Sequence, residues 1–379
     1  MKIGIEAQRI FRPRKHGMDM VALEVIKNLQ EIDTQNEYVI FVNDNEDHCL
    51  QETPNFKIVT FSGSYPVWEQ IELPKAAKEH GVDLLHCTSN TAPMNCPVPL
   101  VLTLHDIIYL EKSLLFTPGF TLYQRFGNLY RKYIVPKILK RCAKIITVSN
   151  FEKKRIGEKL HIQDDRLSYI YNGVSPHFQK ITDSTTLDRI RKQYHLPENY
   201  FFFLGNTDPK KNTPRVLKAF LDFAKTDKDN YHLVIVDYEK TLVEEFLAQH
   251  KAETFIDRFR FPGYVKNTDL PAILTMAKIM LYPSLRESFG IPILEGMACA
   301  TPVITSNTSS MPEVSGGAAF LVDPLNENEI TSAIHQLIDD QKTRDELVEK
   351  GKVRAQQFSW RNTAKEVLKL YQDVYNSNS

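Results

Sequence analysis

The chain is predicted to be an α/β protein with two doubly wound, Rossmann-like domains, each a parallel sheet with helices on both faces. Three observations carry this expectation. Short β-rich runs alternate with helical patterns, as parallel strands joined by crossovers require. The runs form two series, divided near Tyr171-Asn172-Gly173-Val174, where Asn-Gly marks a turn and the polar stretch PHFQKITDST follows. A length of 379 residues also exceeds what one core usually organises.

The first series of strands is KIGIE (2–6), YVIFV (38–42), KIVTF (57–61), DLLH (83–86), LVLTL (100–104) and KIITV (144–148). Helical patterns at 18–32, 68–80, 119–141 and 150–160 lie among them. The second series is YFFFL (200–204), HLVIV (232–236), a short strand at 259–261, KIMLY (278–282), PVIT (302–305) and AAFLV (318–322). Its helical patterns are 212–226, 240–251, 326–340 and 341–357. A last helix, 359–376, opens on the cap residue Ser359 and carries Val367, Leu368, Leu370, Tyr371 and Val374; position alone assigns it to the second domain. No tandem repeat or low-complexity tract interrupts the pattern.

Composition narrows the function classes. Hydrophobic residues make up 42% and charged residues 25%, ordinary globular values. Net charge is zero, so no bulk affinity for nucleic acid is expected. The five cysteines, at 49, 87, 96, 142 and 299, have no close C-x-x-C pair and read as free thiols of a reducing compartment. The N-terminus reads as a strand broken by Glu6 rather than a leader, and no apolar run approaches the length of a membrane span. A cytoplasmic protein is expected. Residues 131–155 hold nine Lys/Arg against one acid, Glu152. There Arg131, Lys132, Lys137, Lys140, Arg141 and Lys144 flank apolar Ile134, Val135, Ile138 and Leu139. Such a helix suits peripheral contact with an anionic membrane, or a surface helix with an ordinary core face.

The segment RESFGIPILE (286–295) is the most informative stretch. Ser288, Phe289 and Gly290 read as a loop leaving strand 278–282. Gly290 lets backbone approach a ligand, and Pro292 suits a first helical turn. Amides of residues 289–291, Ile291 included, would then line a helix N-terminus, a ready site for phosphate. Glu287 precedes that site. Glu295 lies about one turn inside the helix, placed to accept hydrogen bonds from a diol such as ribose. These parts can hold a nucleotide sugar, although two glutamates at this spacing also occur on solvated faces.

Other candidates sit after strands, where ligands of doubly wound sheets bind. After 200–204 comes Gly205-Asn206-Thr207-Asp208-Pro209-Lys210-Lys211-Asn212. Gly205 allows a tight turn, and Lys211 offers three donors to a diphosphate. It is not a Walker loop, lacking the second Gly and the Ser/Thr after Lys. After 100–104 comes His105-Asp106. After 2–6 comes RIFRPRKHGMDM, where Gly17 lets amides reach a donor phosphate and Arg12, Arg14 and Lys15 form a basic loop, either solvated or facing an acidic acceptor. No histidine or cysteine shows metal-ligand spacing. Asp237-Tyr238-Glu239 is only faintly like an acidic metal motif.

The run E287-S-F-G-I-P-I-L-E295-G-M-A-C-A-T-P-V-I resembles the family-4 retaining glycosyltransferases (glycosyl transferases group 1), which carry a Glu–seven residues–Glu motif in the pattern E-x-F-G-x-P-x-x-E-A-M-A-x-G-x-P-V-I. The likeness continues through Ser306, Met311-Pro312-Glu313-Val314 and Val322-Asp323-Pro324, and the family's G-x-x-x-P-R-K-N is similar to 205–212. Departures are Gly296 for Ala, Ala300 for Gly, Asp237 where Gly is commoner, Ser175 for Asp in N-G-V-D, Lys210 for Arg, and Asn206 where some members have Arg.

The resemblance implies the GT-B fold, two such domains facing across a cleft. Residues 1–172, with a crossover helix in 359–379, would bind a glycan or lipid-linked acceptor, and 173–358 a nucleoside-diphosphate sugar. It implies transfer with retention, mannose and GDP being the first guess. No cofactor beyond the sugar nucleotide is expected, and no metal, since the chain offers no convincing acidic pair while a helix start and Lys211 can supply the charge that an ion would bring. Lys211 would bind the diphosphate, Glu287 the sugar, Glu295 the ribose, and Tyr264-Val265 the base. His105, with Asp106, would contact the transferred sugar and face the acceptor. Two other readings stay open: a glycoside hydrolase using both glutamates, and a catalytically silent nucleotide-sugar-binding subunit.

Overall fold

The computed structural model describes residues 1–13, 15–111 and 121–378. The chain divides into two compact units, Met1–Gly173 with Trp360–Ser379, and Val174–Ser359.

The first unit is built on a seven-stranded sheet: β1 (Lys2–Glu6), β2 (Glu37–Asn43), β3 (Phe56–Phe61), β4 (Leu84–Cys87), β5 (Leu100–Thr103), β6 (Cys142–Thr147) and β7 (Leu167–Tyr169). The order is β3-β2-β1-β4-β5-β6-β7, every pair parallel. The second unit has β8 (Tyr200–Leu204), β9 (His232–Val236), β10 (Phe259–Arg260), β11 (Ile279–Tyr282), β12 (Val303–Ser306) and β13 (Phe320–Val322). Its order is β10-β9-β8-β11-β12-β13, again all parallel. In each sheet the first strand lies inside, and successive connections run first to one side and then to the other. The order therefore reverses at β1/β4 and at β8/β11, the places where such sheets open a ligand crevice.

Burial explains why the strands read as continuous apolar runs. Tyr200, Phe201, Phe202 and Phe203 of β8 are each at most 2% exposed, so both faces of this strand are covered. The C-terminal helix, Trp360–Asn378, packs in the first unit against helix Gly17–Ile32, with Ala364, Val367, Leu370, Tyr371 and Val374 buried. Its Tyr371 hydroxyl meets His86 Nδ1 at 2.6 Å, while His86 Nε2 meets Thr103 Oγ1 at 2.7 Å. Burial of this doubly bonded ring pushes its pKa down to about 3, so it is a neutral structural histidine. Thr363 Oγ1 adds a bond to Tyr171 O at 2.7 Å.

Several elements differ from the sequence expectation. Strand β7 has three residues, of which only Leu167 is buried, too few to show a period. Helix Ser184–Gln193 buries Ile190 alone and is started by the Asp183 side chain, which accepts from the Thr185 and Thr186 amides. The pattern at 68–80 is three pieces: Tyr65–Val67, a π-turn Trp68–Glu72, and Leu73–Glu79. Pro74 has no N–H for the Gln70 carbonyl, and the wider turn accommodates that loss. The expected helix 119–141 is Leu122–Ile138, and 112–120 lie outside the described residues.

The apolar residues singled out at 131–155 are core. Ile134, Val135, Ile138 and Leu139 are buried under the first sheet, so they present nothing to a membrane. Arg141 is held by Met94 O and Asn95 Oδ1, and Lys144 by Asp165 O.

The small-residue departures have packing reasons. A Cβ on Gly296 would lie 2.7 Å from Met280 Sδ and 3.1 Å from Val303 Cγ2, so the helix carrying it needs glycine to sit this close to the sheet. Ala300 and Asp237 have φ of +62° and +57°, the left-handed region where glycine is favoured. Both therefore hold a conformation that the family's glycine would adopt without strain.

Candidate active site

The strongest cluster of predicted residues lies in the second unit, at the carboxyl ends of β8 and β11, where the sheet order reverses. The loop after β8 is shaped by its own polar groups. Thr213 Oγ1 bonds Asn206 O at 2.7 Å, Asn206 Oδ1 accepts from the Asp208 amide at 2.8 Å, and Pro209–Lys211 form a 3-10 turn. Gly205 is needed for a different reason than the tight turn expected. Its φ is not positive, but a Cβ would lie 2.7 Å from Tyr238 Cβ and 2.8 Å from Ile235 Cγ2. Close approach of β8 to the end of β9 requires the missing side chain.

Lys211 is aimed across the reversal point. Its Nζ donates to Glu287 Oε1 at 2.8 Å and to the Tyr282 hydroxyl at 3.1 Å. An ammonium has three donors, so this geometry leaves one N–H for a ligand. Lys210 points elsewhere: its Nζ lies 3.7 Å from exposed Asp208, while its carbonyl accepts from the Leu285 amide at 2.7 Å. Burial and the adjacent Glu287 raise the Tyr282 pKa, so the phenol stays protonated.

Glu287 is held by serines that the sequence reading passed over. Its amide donates to Ser309 Oγ at 3.1 Å, and its carbonyl accepts from Ser309 Oγ at 2.6 Å and Ser310 Oγ at 2.9 Å. Ser310 Oγ also reaches Phe289 O at 2.9 Å. Asn212 was missed as well. It is buried at φ +61°, and its Nδ2 donates to Pro283 O at 2.9 Å and Pro324 O at 2.7 Å. One amide group thus ties together the chain leaving β8, β11 and β13. The signal was its place directly after Lys211 in the stretch resembling P-R-K-N.

Gly290, at φ +101°, caps helix Ile291–Ala298, with Pro292 in the first turn. The Gly290 and Ile291 amides have no hydrogen-bond partner among the described residues, whereas the Ile293 amide bonds Gly290 O at 3.0 Å. Two amides and the positive end of the helix dipole remain for an anion. Phe289 turns inward, buried edge-on against Phe358 with ring centroids 5.8 Å apart, so its side chain packs rather than binds. Ser288 is half-buried beside it.

Glu295, one turn on, is half-buried, and its carboxylate makes no hydrogen bond or ion pair among the described residues. Burial pushes its pKa up to about 7. A carboxylate left without donors in this position is ready to take them from hydroxyls. Tyr264, on the loop after β10, is 84% exposed, and Val265 beside it is half-buried.

The remaining predicted residues belong to the first unit. Gly17 opens helix Gly17–Ile32, with nothing within 4 Å of where a Cβ would stand. His105 is buried. Its amide donates to Asn90 Oδ1 at 2.6 Å and its Nε2 lies 3.0 Å from Thr88 O, so Nε2 carries the proton. Burial lowers its pKa. Asp106 accepts from the Ile108 amide at 3.0 Å and starts a short helix. Of the basic loop, Lys15 is engaged by Asp47 and by Arg12 O, so it is not a free cation; Arg12 is half-buried, and Arg14 lies outside the described residues. Among the described residues no three His, Cys, Asp or Glu side chains gather as a metal-holding group, and no helix is long and apolar enough to cross a membrane.

Comparison with known proteins bears on the family and the fold. Residues 187–354 match the family profile described as Glycosyl transferases group 1, and 16–178 match Glycosyltransferase Family 4. The chain is 30% identical to the O-antigen chain mannosyltransferase B of Escherichia coli, over 60% of each chain. It is 26% identical to the serotype-specific mannosyltransferase WbdA of Escherichia coli, over 71% of this chain and 33% of that protein. The chain therefore spans less than two thirds of these relatives. Sucrose-phosphate synthase of Thermosynechococcus elongatus superposes with a TM-score of 0.74 at 18% identity, covering 99% of both chains. Anabaena HepE in complex with UDP-glucose gives 0.73 at 18% identity, covering 98% of this chain and all of that one. The two parallel sheets are those of the GT-B fold, and the chain belongs to the family-4 glycosyltransferases.

Proposed function

We propose that this protein transfers a sugar, with mannose the first candidate, from a nucleoside-diphosphate sugar to a glycan or lipid-linked acceptor, with retention and without a bound divalent metal. The observation that carries the reading is the meeting of Lys211, Glu287 and two unbonded helix-start amides at the β8/β11 reversal. A diphosphate on Gly290 and Ile291 lies within the field of the Lys211 ammonium. As the sugar–phosphate bond breaks, negative charge grows on the departing diphosphate. The third N–H of Lys211 and the two amides stabilise it with little reorganisation. They supply the charge that a metal ion brings to other transferases. Glu287, fixed by Ser309 and Ser310, stabilises positive charge developing on the sugar. Glu295 holds the ribose hydroxyls, and Tyr264-Val265 border the base. In the first unit, His105 serves the acceptor side. Mannose is favoured by the names of the relatives, two of which are mannosyltransferases.

A thermal-shift screen against GDP, UDP and ADP sugars tests the donor. GDP-mannose is expected to raise the unfolding midpoint most, because binding only the folded state stabilises it. A selective shift with UDP sugars and none with GDP sugars would overturn the GDP-mannose assignment while leaving the diphosphate site standing.

A further inference from the structure

In the sequence Tyr282 is only the end of the apolar strand 278–282, yet its hydroxyl stands where the two charged groups of the site meet. Tyr282 closes β11 and is buried. Its backbone is fixed: the carbonyl accepts from Thr305 Oγ1 on β12 and from the Ser284 amide, both at 2.9 Å. Its ring is fixed as well. A Cβ on Gly290 would lie 3.8 Å from Tyr282 Cε1, so the ring is in ordinary contact with the glycine that caps the helix. A side chain held at both ends does not follow Lys211; it sets where Lys211 goes.

The donor and acceptor roles follow from the groups themselves. An ammonium has donors only, so the phenol oxygen accepts from Lys211 Nζ, at 3.1 Å. The phenol's own proton turns to the neighbouring acid, Glu287. Glu287 Oε1 takes a second N–H of Lys211 at 2.8 Å. Two anchors fix the direction of the third N–H. With Glu287 alone, the ammonium would turn about the line from Nζ to Oε1, and the third N–H would sweep a cone. That N–H is the one left for the diphosphate. Charge growing on a leaving group is stabilised best by a donor already in place. We propose that Tyr282 is a positioning residue for transfer, its hydroxyl aiming the Lys211 ammonium at the departing diphosphate. The inference deepens the transfer reading and rests on it.

Tyr282→Phe tests it, because it removes one oxygen and keeps the ring. The rate is read as GDP released from GDP-mannose with methyl α-mannoside as acceptor, and affinity by calorimetry with GDP. The UDP pair replaces these if the thermal-shift screen selects UDP sugars. In the variant kcat is expected to fall about tenfold, the scale of one lost hydrogen bond to a charged group, while GDP affinity changes less than about threefold. The unfolding midpoint should stay near that of the wild type. In a Lys211→Ala background the same substitution should cost less than about twofold more, because no ammonium remains to aim. The proposal is overturned if Tyr282→Phe keeps the wild-type kcat, or if rate, affinity and midpoint fall together, as a packing role requires. It is equally overturned if the losses of Tyr282→Phe and Lys211→Ala simply multiply, since the hydroxyl would then act apart from Lys211. A wild type that turns over no sugar nucleotide would end the transfer reading and this inference with it. An active wild type beside an unaffected Tyr282→Phe would end this inference alone.

Discussion

Replacing Lys211 with alanine is expected to slow transfer by roughly two orders of magnitude and to weaken nucleoside-diphosphate binding. The rate estimate follows from removing one preorganised donor to a growing negative charge. The binding loss should be about 1.5–3 kcal/mol, the value of a hydrogen bond to a charged group. The structure adds a second consequence. In the free protein Lys211 is paired with Glu287, whose side chain is 12% exposed. Removing the cation leaves that carboxylate without its partner in a desolvated place, so the sugar side of the site is disturbed together with the phosphate side. Lys210→Ala is the control. Its ammonium faces exposed Asp208, so donor affinity and rate should change by less than twofold to threefold. Calorimetry and initial rates on both variants decide. Equal losses in the two variants, or none in Lys211→Ala, would remove Lys211 from the diphosphate site.

The second large effect is expected at Glu295, and it carries a pH signature. Burial raises this carboxyl from its ordinary 4.5 to about 7 in the free protein. Hydroxyl donors favour the ionised form, so a sugar nucleotide that places a diol there binds the carboxylate best. Donor affinity should rise with pH, by roughly tenfold over two pH units centred on 7, as the ionised fraction rises. The sugar diphosphate itself does not titrate in this window. The sign for stability is opposite. A carboxyl raised in the folded state binds its proton more tightly there than when unfolded, so its contribution to stability is full below 4.5 and lost as pH rises to about 7. Glu295→Gln should leave a folded protein with donor affinity lowered tenfold or more above pH 7, and with that pH dependence flattened. An unchanged affinity, or a pH slope that survives in the variant, would take the ribose from Glu295.

Much of this site was legible because its residues lie close together in sequence. Glu287, Gly290, Pro292 and Glu295 fall in one strand-to-helix junction, and Lys211 follows a strand whose apolar run is unmistakable. What could not be read was the support. Ser309, Ser310, Tyr282 and Pro324 reach the site only because β11, β12 and β13 are neighbours in the sheet, and no local pattern announces that adjacency. The reason for Gly205 was misread for the same cause: its crowding comes from Ile235 and Tyr238, on another strand and the loop after it. In the first unit, the basic loop looked like a set of cations until Lys15 was found on Asp47. The apolar residues of helix Leu122–Ile138 show the limit of periodicity. Two apolar faces were present, and only packing revealed that Ile134, Val135 and Ile138 are covered while Phe126, Leu129 and Tyr133 are not.

The most direct test of the account is the product formed from an α-linked sugar nucleotide after exhaustive chelation of divalent metal, with its anomeric configuration read by NMR. Lys211 and the Gly290–Ile291 amides, acting as the charge partners of the leaving group, predict full transfer under chelation, and the proposed retaining course predicts an α-linked product. A β-linked product, or activity lost on chelation and restored by magnesium or manganese, would contradict it; in the latter case Asp237 and Glu239 are the first residues to replace.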